Sequence, residues 1–358
     1  MVFEASSFFD QAKLRERLQS LDPIDALSPG RLDELSRLCV VETARIGEDP
    51  FRLRGIEGQS VYLLQGELKV RHDNGSSSVY VGGTEAAREP LGKRSGGVRD
   101  GKAITPVALV RVDDDVLDIM MTWDQLSAAP DKAAGGADWR QMTGAFRVES
   151  LTYGALSRLP AASIDTLFKR FERIRVRSGE RVVKEGDDGD FYYIIESGCC
   201  EVSRKIGGDD MPLADLKAGD AFGEEALVAE GKRNATVTAN RDGVLLRLGK
   251  KDFIELLREP LLKRLAWVEA ERQVASGAAW LDVRYPSEYQ RDRLPGAINV
   301  PLGEIRNAIG LLDRDREYVV YCQSGRRSSA AAFLLSQHGY RAACLEGGLL
   351  ARHAGERQ

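Results

Sequence analysis

Cys322-Gln323-Ser324-Gly325-Arg326-Arg327-Ser328 places a nucleophile, turn-forming residues and two cations side by side. The β-branched run Tyr318-Val319-Val320-Tyr321 precedes it and an Ala/Leu-rich stretch, Ser329 to His338, follows, which reads as strand, tight loop, helix. A cysteine at the end of such a strand faces backbone N–H groups and the positive end of the next helix. Both favour the thiolate, and Arg326 and Arg327 push the same way. Covalent chemistry at sulfur is expected here, with the amides of Gln323 to Ser328 holding an anionic sulfur. The plain alternative is a buried free thiol.

A second group of residues suits a phosphate and a sugar. Phe222-Gly223-Glu224-Glu225-Ala226-Leu227 is followed by Arg233-Asn234-Ala235-Thr236. A glycine opening a short helical turn presents unsatisfied N–H groups to an anion, and Arg233 can add a bidentate contact to phosphate oxygens. Glu224 is out of place beside an anion unless it accepts hydrogen bonds from sugar hydroxyls. Phosphate plus ribose suggests a nucleotide.

This stretch, with Ser178-Gly179-Glu180 and Glu185-Gly186-Asp187-Asp188-Gly189-Asp190 ahead of Gly198, resembles the phosphate-binding cassette of cyclic nucleotide-binding domains. The resemblance implies that Glu224 binds the ribose 2′-hydroxyl and Arg233 the cyclic phosphate. Amides around Gly223, Glu225, Ala226 and Ala235 would complete the site. Asn234 stands where Ala or Thr is usual. A Thr there tends to accompany cGMP preference, so the base stays open, with cAMP favoured over cGMP as the regulatory ligand. The other reading is a roll that kept its shape and lost its ligand.

Asp282-Val283-Arg284, Glu288-Tyr289, Pro295 to Pro301, the cysteine loop and Leu345-Glu346-Gly347-Gly348 together resemble a single-domain rhodanese over nearly all of residues 266 to 358. That family implies a sulfurtransferase: Cys322 takes a sulfane sulfur, holds it as a persulfide and passes it to a thiol, a protein thiol included, or to cyanide. The departures are Asp292-Arg293-Leu294 where Gly-His-Ile is common, Arg352 where a tryptophan often sits, and Gln323 where an arginine is common. Phosphatase loops share the thiolate cradle but put five residues between cysteine and arginine. Here four separate Cys322 from Arg327, which favours sulfur over phosphate. Asp282, Arg284 and Glu288 are expected to be ion-pair partners bracing the loop. Cys344 reads as a core strand position, with a resolving thiol as the sharper alternative.

The rest of the chain must position these two groups. Its 358 residues allow two or three domains. A net charge of −4 offers no basic field for nucleic acid, and no apolar run approaches membrane-spanning length. Five scattered cysteines and three histidines make no disulfide framework and no metal site, and point to a reducing, cytoplasmic compartment. Residues 7 to 21 read as an amphipathic helix, and Ser28-Pro29 opens a second that runs through Leu32, Leu35 and Leu38. Short strands then follow to about Met121, and Ser127 to Gly144 reads as a linker.

From Leu156 the pattern begins again, with a helix carrying Ile164, Leu167, Phe168 and Phe171, then strands from Ile174. Tyr62-Leu63-Leu64-Gln65-Gly66 aligns with Ile194-Ile195-Glu196-Ser197-Gly198, and Leu91-Gly92-Lys93 with Phe222-Gly223-Glu224. Without a gap, Lys102 falls on Arg233. Lysines at both ligand positions make the first copy degenerate. Lys93, Arg94, Arg99 and Lys102 read as a solvated basic loop, and the domain as structural or dimerising. A closing helix from Lys251 to Arg258 ends the second copy.

The expected architecture is multidomain, α+β and α/β. Two jelly-roll-like β-rolls with flanking helices, a degenerate copy at 1–126 and a binding domain at 146–262, are joined by a linker at 127–145. A rhodanese-like α/β domain with a parallel sheet occupies 263–358. The expected function is a cyclic-nucleotide-regulated sulfurtransferase, with residues 261 to 272 as both lid and opening helix of the catalytic domain. The alternative is a signalling adaptor that senses persulfide or oxidation through Cys322. No helix-turn-helix follows the sensor, so DNA is not the expected partner.

Overall fold

The computed structural model describes residues 11–52, 55–92, 97–127, 146–153, 155–206, 209–228, 232–256 and 262–355. By internal contacts the chain divides into two compact units, Met1–Asp124 with Trp280–Pro301, and Gln125–Ala279 with Leu302–Gln358. The expected linker lies almost wholly within 128–145, outside the described residues.

Two helices, Gln11–Leu18 and Pro29–Leu38, lead the first roll, with Leu14, Leu18, Leu32 and Leu35 buried. Ser28 does not cap its helix with its side chain. Its backbone N–H and hydroxyl both donate to the Asp124 carboxylate, at 2.8 and 2.5 Å. Six strands follow in two antiparallel three-stranded sheets. The strands end at Asp113, and Asp114–Ser127 is a helix, which corrects the reading of strands up to Met121. Leu117, Ile119, Met120, Met121, Trp123 and Leu126 are all buried. A helix enclosed on every side lacks the polar face that makes helical periodicity legible.

The second roll repeats the first in detail. Its strands form two four-stranded antiparallel sheets. Gly47 donates to the Ala103 carbonyl as Gly179 does to Ala239, at 2.8 and 2.7 Å. Glu48 accepts the Arg45 amide as Glu180 accepts that of Arg177. The cores match position by position: Phe51, Leu63, Leu68, Leu91 and Leu109 answer to Val183, Ile195, Cys200, Phe222 and Leu245. Cys200 is therefore a core side chain, and burial pushes its thiol up to about 11.

Strand register corrects the ungapped alignment of the ligand loop. Leu68 pairs with Ala103 and Lys69 with Lys102, just as Cys200 pairs with Ala239 and Glu201 with Thr238. Lys102 thus occupies the position of Thr238, and Gly97 that of Arg233. Only residues 93–99 separate Gly92 from its strand, whereas residues 224–235 separate Gly223 from the matching strand. The first copy has lost length in the loop, beyond any change of residue type. Lys93 and Arg94 fall outside the described residues.

The C-terminal segment forms a five-stranded sheet in the order Arg264–Leu265, Arg341–Leu345, Glu317–Tyr321, Ala279–Asp282, Ile298–Asn299, with parallel pairings. Helices Trp267–Ala275, Pro286–Arg291 and Arg326–Gln337 alternate with the strands. The strand at Arg264–Leu265 was not foreseen, because two residues are too few for a period. It pairs with Cys344 and Leu345, so part of the expected lid is a sheet edge, and the helix begins only at Trp267. The closing helix of the second roll is Lys250–Leu256, and residues 257–261 are not described.

Candidate functional sites: an anion cassette and a cysteine loop

Strand Ala221–Phe222 brings the chain to Gly223, after which Glu224–Val228 is a short helix. Phe222 is anchored by stacking on Tyr193, with ring centroids 4.9 Å apart. Gly223 has φ +96°, and a Cβ there would lie 2.6 Å from Arg233 Nη1 and 2.9 Å from the Phe191 carbonyl oxygen. No side chain fits, because the guanidinium occupies that space. Arg233 is buried and donates through Nη1 to the Gly223 carbonyl (2.8 Å) and through Nη2 to the Phe191 carbonyl (2.7 Å). Its backbone is clamped on both sides: the N–H donates to Asp187 and the carbonyl accepts from Gly186.

These bonds fix a permanent cation beside the start of the short helix. Glu224 is half-buried, and burial of the Tyr192 hydroxyl, with the Glu224 charge as a lesser cause, drives that group well above its ordinary value. Ala226 and Ala235 are buried, and Asn234 is exposed, with its carbonyl accepting from Arg204 Nε at 2.7 Å. Gly189 lets the cassette close in, since a Cβ there would come 2.7 Å from that of Ala226. The structure therefore gathers Gly223, Glu224, Glu225, Ala226, Arg233, Asn234 and Ala235 around one loop. The Phe191 carbonyl as anchor was missed, since a backbone atom leaves no mark on sequence.

The cysteine loop is built in the expected order. Strand Glu317–Tyr321 is buried from Tyr318 onward, Cys322 is fully buried, and Gly325 (φ +94°) caps helix Arg326–Gln337. The amides of Gly325 and Ser328 donate to Cys322 Sγ, with N···S distances of 3.1 and 3.4 Å. Two donors aimed at one sulfur stabilise its anion or that of an attached sulfur. Ser324 Oγ accepts the Arg326 amide (3.3 Å), Gln323 is half-buried, Arg326 is partly exposed, and Arg327 and Ser328 are fully buried.

The first two peptide units of the loop, those just ahead of the donating Gly325 amide, are clamped through their carbonyls. The Cys322 carbonyl accepts from Leu349 N (2.9 Å) and the Gln323 carbonyl from Leu350 N (3.0 Å). Those donors open helix Gly348–Gly355, where they have no partner within the helix. Gly348 has φ +59°, and a Cβ would lie 2.5 Å from the Cys322 oxygen and 2.6 Å from the Gln323 oxygen. Gly347-Gly348 was noted in the sequence, but its contact with the loop is tertiary.

Asp282 and Arg284 form a buried pair, Nη2 to Oδ2 at 2.8 Å and Nε to Oδ1 at 3.1 Å. Arg284 also donates to the Asp292 carbonyl. Asn299 Nδ2 donates to the carbonyls of both Asp282 and Arg284, each at 3.0 Å. Glu288 accepts the Tyr285 amide at 3.1 Å. Among the described residues no group of three His, Cys, Asp or Glu side chains could hold a metal, and no helix is long and apolar enough to cross a membrane.

Known proteins resemble these parts separately. A family model for the cyclic nucleotide-binding domain matches residues 173–259, and one for the rhodanese-like domain matches residues 266–353. The cAMP-dependent protein kinase regulatory subunit of Yarrowia lipolytica is 44% identical over 90 residues, 25% of this chain and 23% of that protein. Its counterpart from Neurospora crassa is 27% identical over 215 residues, 56% of this chain and 54% of that protein. The cyclic AMP receptor protein of Thermus thermophilus is 29% identical over 169 residues, 47% and 76%. The chain spans between about a quarter and about half of the two kinase subunits. Among solved structures, the regulatory domain of Toxoplasma gondii PKA with cAMP aligns with 69% of this chain and 92% of its own, at 18% identity and TM-score 0.30. The chain thus carries a cyclic nucleotide-binding domain at 173–259 and a rhodanese-like domain at 266–353.

Proposed function

We propose that this protein is a sulfurtransferase whose output is set by a cyclic nucleotide. The observation that carries the chemistry is Cys322 Sγ beneath two loop amides at 3.1 and 3.4 Å. In this reading the Cys322 thiolate attacks the sulfane sulfur of a donor such as thiosulfate, sulfite leaves, and the S–S bond of a persulfide forms. A thiol acceptor then removes the outer sulfur and regenerates Cys322. The loop amides carry the negative charge at both stages.

The nucleotide is held by Arg233 and Glu224, and cAMP fits the relatives named above better than cGMP. The functional partition is a structural first roll to residue 126, a linker at 127–145, a sensor at 146–262 and a catalytic domain at 263–358. The protein works in the cytoplasm, and pairing of two chains through the first roll is part of the proposal.

Packing supports a link between sensor and output. Helix Arg326–Gln337, which begins at the cysteine loop, lies on the turn Ala161–Ser163 that leads into the sensor helix Ile164–Arg170. Both elements are rich in small, buried residues: Ala330, Ala331 and Ala332 on the helix, Ala161, Ala162 and Ser163 on the turn. Arg306 pairs with Asp165 beside them. Small side chains transmit displacement because no flexible chain lies between the backbones. This turn replaces residues 261 to 272 as the proposed route.

The test is thiosulfate turnover with and without saturating cAMP and cGMP. Turnover that depends on Cys322 and changes with nucleotide supports the proposal. Absence of turnover, with persulfidation of Cys322 altering affinity for a partner, would establish the adaptor reading instead.

A further inference from the structure

Cys344 is the second thiol of the loop region and has no role so far. It is buried on strand Arg341–Leu345, with Sγ 3.5 Å from Ser328 Oγ. The same oxygen lies 3.6 Å from Cys322 Sγ, so one hydroxyl stands between two sulfurs. With Cys322 neutral, its S–H donates to Ser328 Oγ, and the Ser328 hydroxyl donates to the Gly325 carbonyl at 3.1 Å. With Cys322 ionised, that S–H donor is gone and the sulfur needs donors instead. The hydroxyl can turn to it without loss, because the Gly325 carbonyl keeps the Ser329 amide at 3.0 Å.

We propose that Cys344 is a positioning residue for the Cys322 anion: its S–H donates to Ser328 Oγ and thereby directs the Ser328 hydroxyl hydrogen at the charged sulfur. The chain Cys344 S–H to Ser328 O–H to Cys322 S⁻ adds a third donor to the two amides. Linked donors polarise one another, so the third is stronger for having Cys344 behind it. The carbonyls of Gly325 (3.9 Å) and Leu345 (3.6 Å) are the other acceptors within reach of Cys344 Sγ. Burial pushes the Cys344 thiol up, which keeps its proton available while Cys322 ionises. Arg264 and Glu346 also act on Cys344, and Arg326 and Arg327 begin the helix over Cys322. These charges are unchanged in the variants below.

The inference rests on the persulfide reading only in taking the Cys322 anion as the working state. Its test is a pH titration of thiolate ultraviolet absorbance in the full chain, each variant measured against its own Cys322→Ser counterpart. Cys344→Ala is expected to raise the Cys322 midpoint by roughly half to one pH unit, the worth of one modest hydrogen bond. Cys344→Val, similar in size and favoured on a strand, should do the same, and covers the case in which the Ala variant fails to fold. Cys344→Ser restores a donor and should return the midpoint to the parent value or below. In a Ser328→Ala background the Cys344 change should add nothing, because the relay is already cut. An unmoved midpoint in both the Ala and Val variants, or an equal rise in the Ser328→Ala background, overturns the proposal. Mass analysis of the same parent sample after thiosulfate separates the two ideas: failure to gain one sulfur refutes the persulfide reading, and an unmoved midpoint refutes the relay.

Discussion

Replacing Gly348 by alanine tests the origin of the cysteine cradle. Two costs arise. The residue has φ +59°, and an L-residue there pays roughly 1–2 kcal/mol. The new Cβ would also sit 2.5 and 2.6 Å from the Cys322 and Gln323 oxygens, so the two carbonyls must swing away from Leu349 and Leu350. Losing two hydrogen bonds adds about 0.5–1.5 kcal/mol each, for a total of roughly 2–5 kcal/mol. Gly296→Ala is the control: φ is +71°, but nothing lies within 4 Å of its Cβ, so only the backbone cost applies, and it applies elsewhere. Amide hydrogen exchange over residues 317–337, read by mass spectrometry, reports local opening of the loop. Exchange there should rise at least about thirtyfold in Gly348→Ala and stay unchanged in Gly296→Ala. Sulfur loading of Cys322 from thiosulfate should fall with it. Exchange within threefold of the parent, with full loading, would refute the idea that the carbonyl clamp shapes the cradle.

Further outcomes are expected. Arg233→Ala should weaken cAMP binding by about ten- to 150-fold in calorimetry, the worth of one charge-assisted contact, and Gly223→Ala should act alike by displacing the guanidinium. Cys200 and Cys39, whose thiols burial pushes up to about 11 and about 12, should resist alkylation at pH 8 in intact-mass analysis. Because a thiol unfolds to an ordinary value near 9.0, these two groups favour the fold fully below that pH, and their contribution falls as pH rises through 9 to about 11, visible as a declining thermal midpoint. Arg306→Ala should leave cAMP affinity and basal turnover near parental and reduce the nucleotide effect on turnover. Asp282→Asn leaves a buried guanidinium without its counter-charge and should lower stability by about 3–5 kcal/mol in denaturant titration.

Local patterns carried most of the architecture. Alternating strands around Gly66 and Gly198, a strand before Cys322 and a helix after it all depend on neighbours in sequence, where periodicity is informative. The helix Asp114–Ser127 escaped because burial on every side erased its period, and Arg264–Leu265 because it is too short to have one. The gap in the first roll's ligand loop escaped for a different reason. An ungapped alignment counts residues, whereas strand register pins Ala103 to Leu68 and Ala239 to Cys200 whatever lies between.

The sequence by itself determined which atoms are available for chemistry: a cysteine ahead of a Gly-turn and two arginines, and a Gly-Glu pair followed by an arginine. Those choices are covalent and local, so they are legible without coordinates. Only the tertiary structure decided how they are aimed. Arg233 is held by carbonyls at Gly223 and Phe191, the first two carbonyls of the cysteine loop are held by Leu349 and Leu350, and Ser328 stands between Cys322 and Cys344. Each of these depends on backbone atoms or on residues far apart in the chain. Side-chain identity alone does not encode such contacts, because hydrogen bonds are set by where the folded backbone places donor and acceptor.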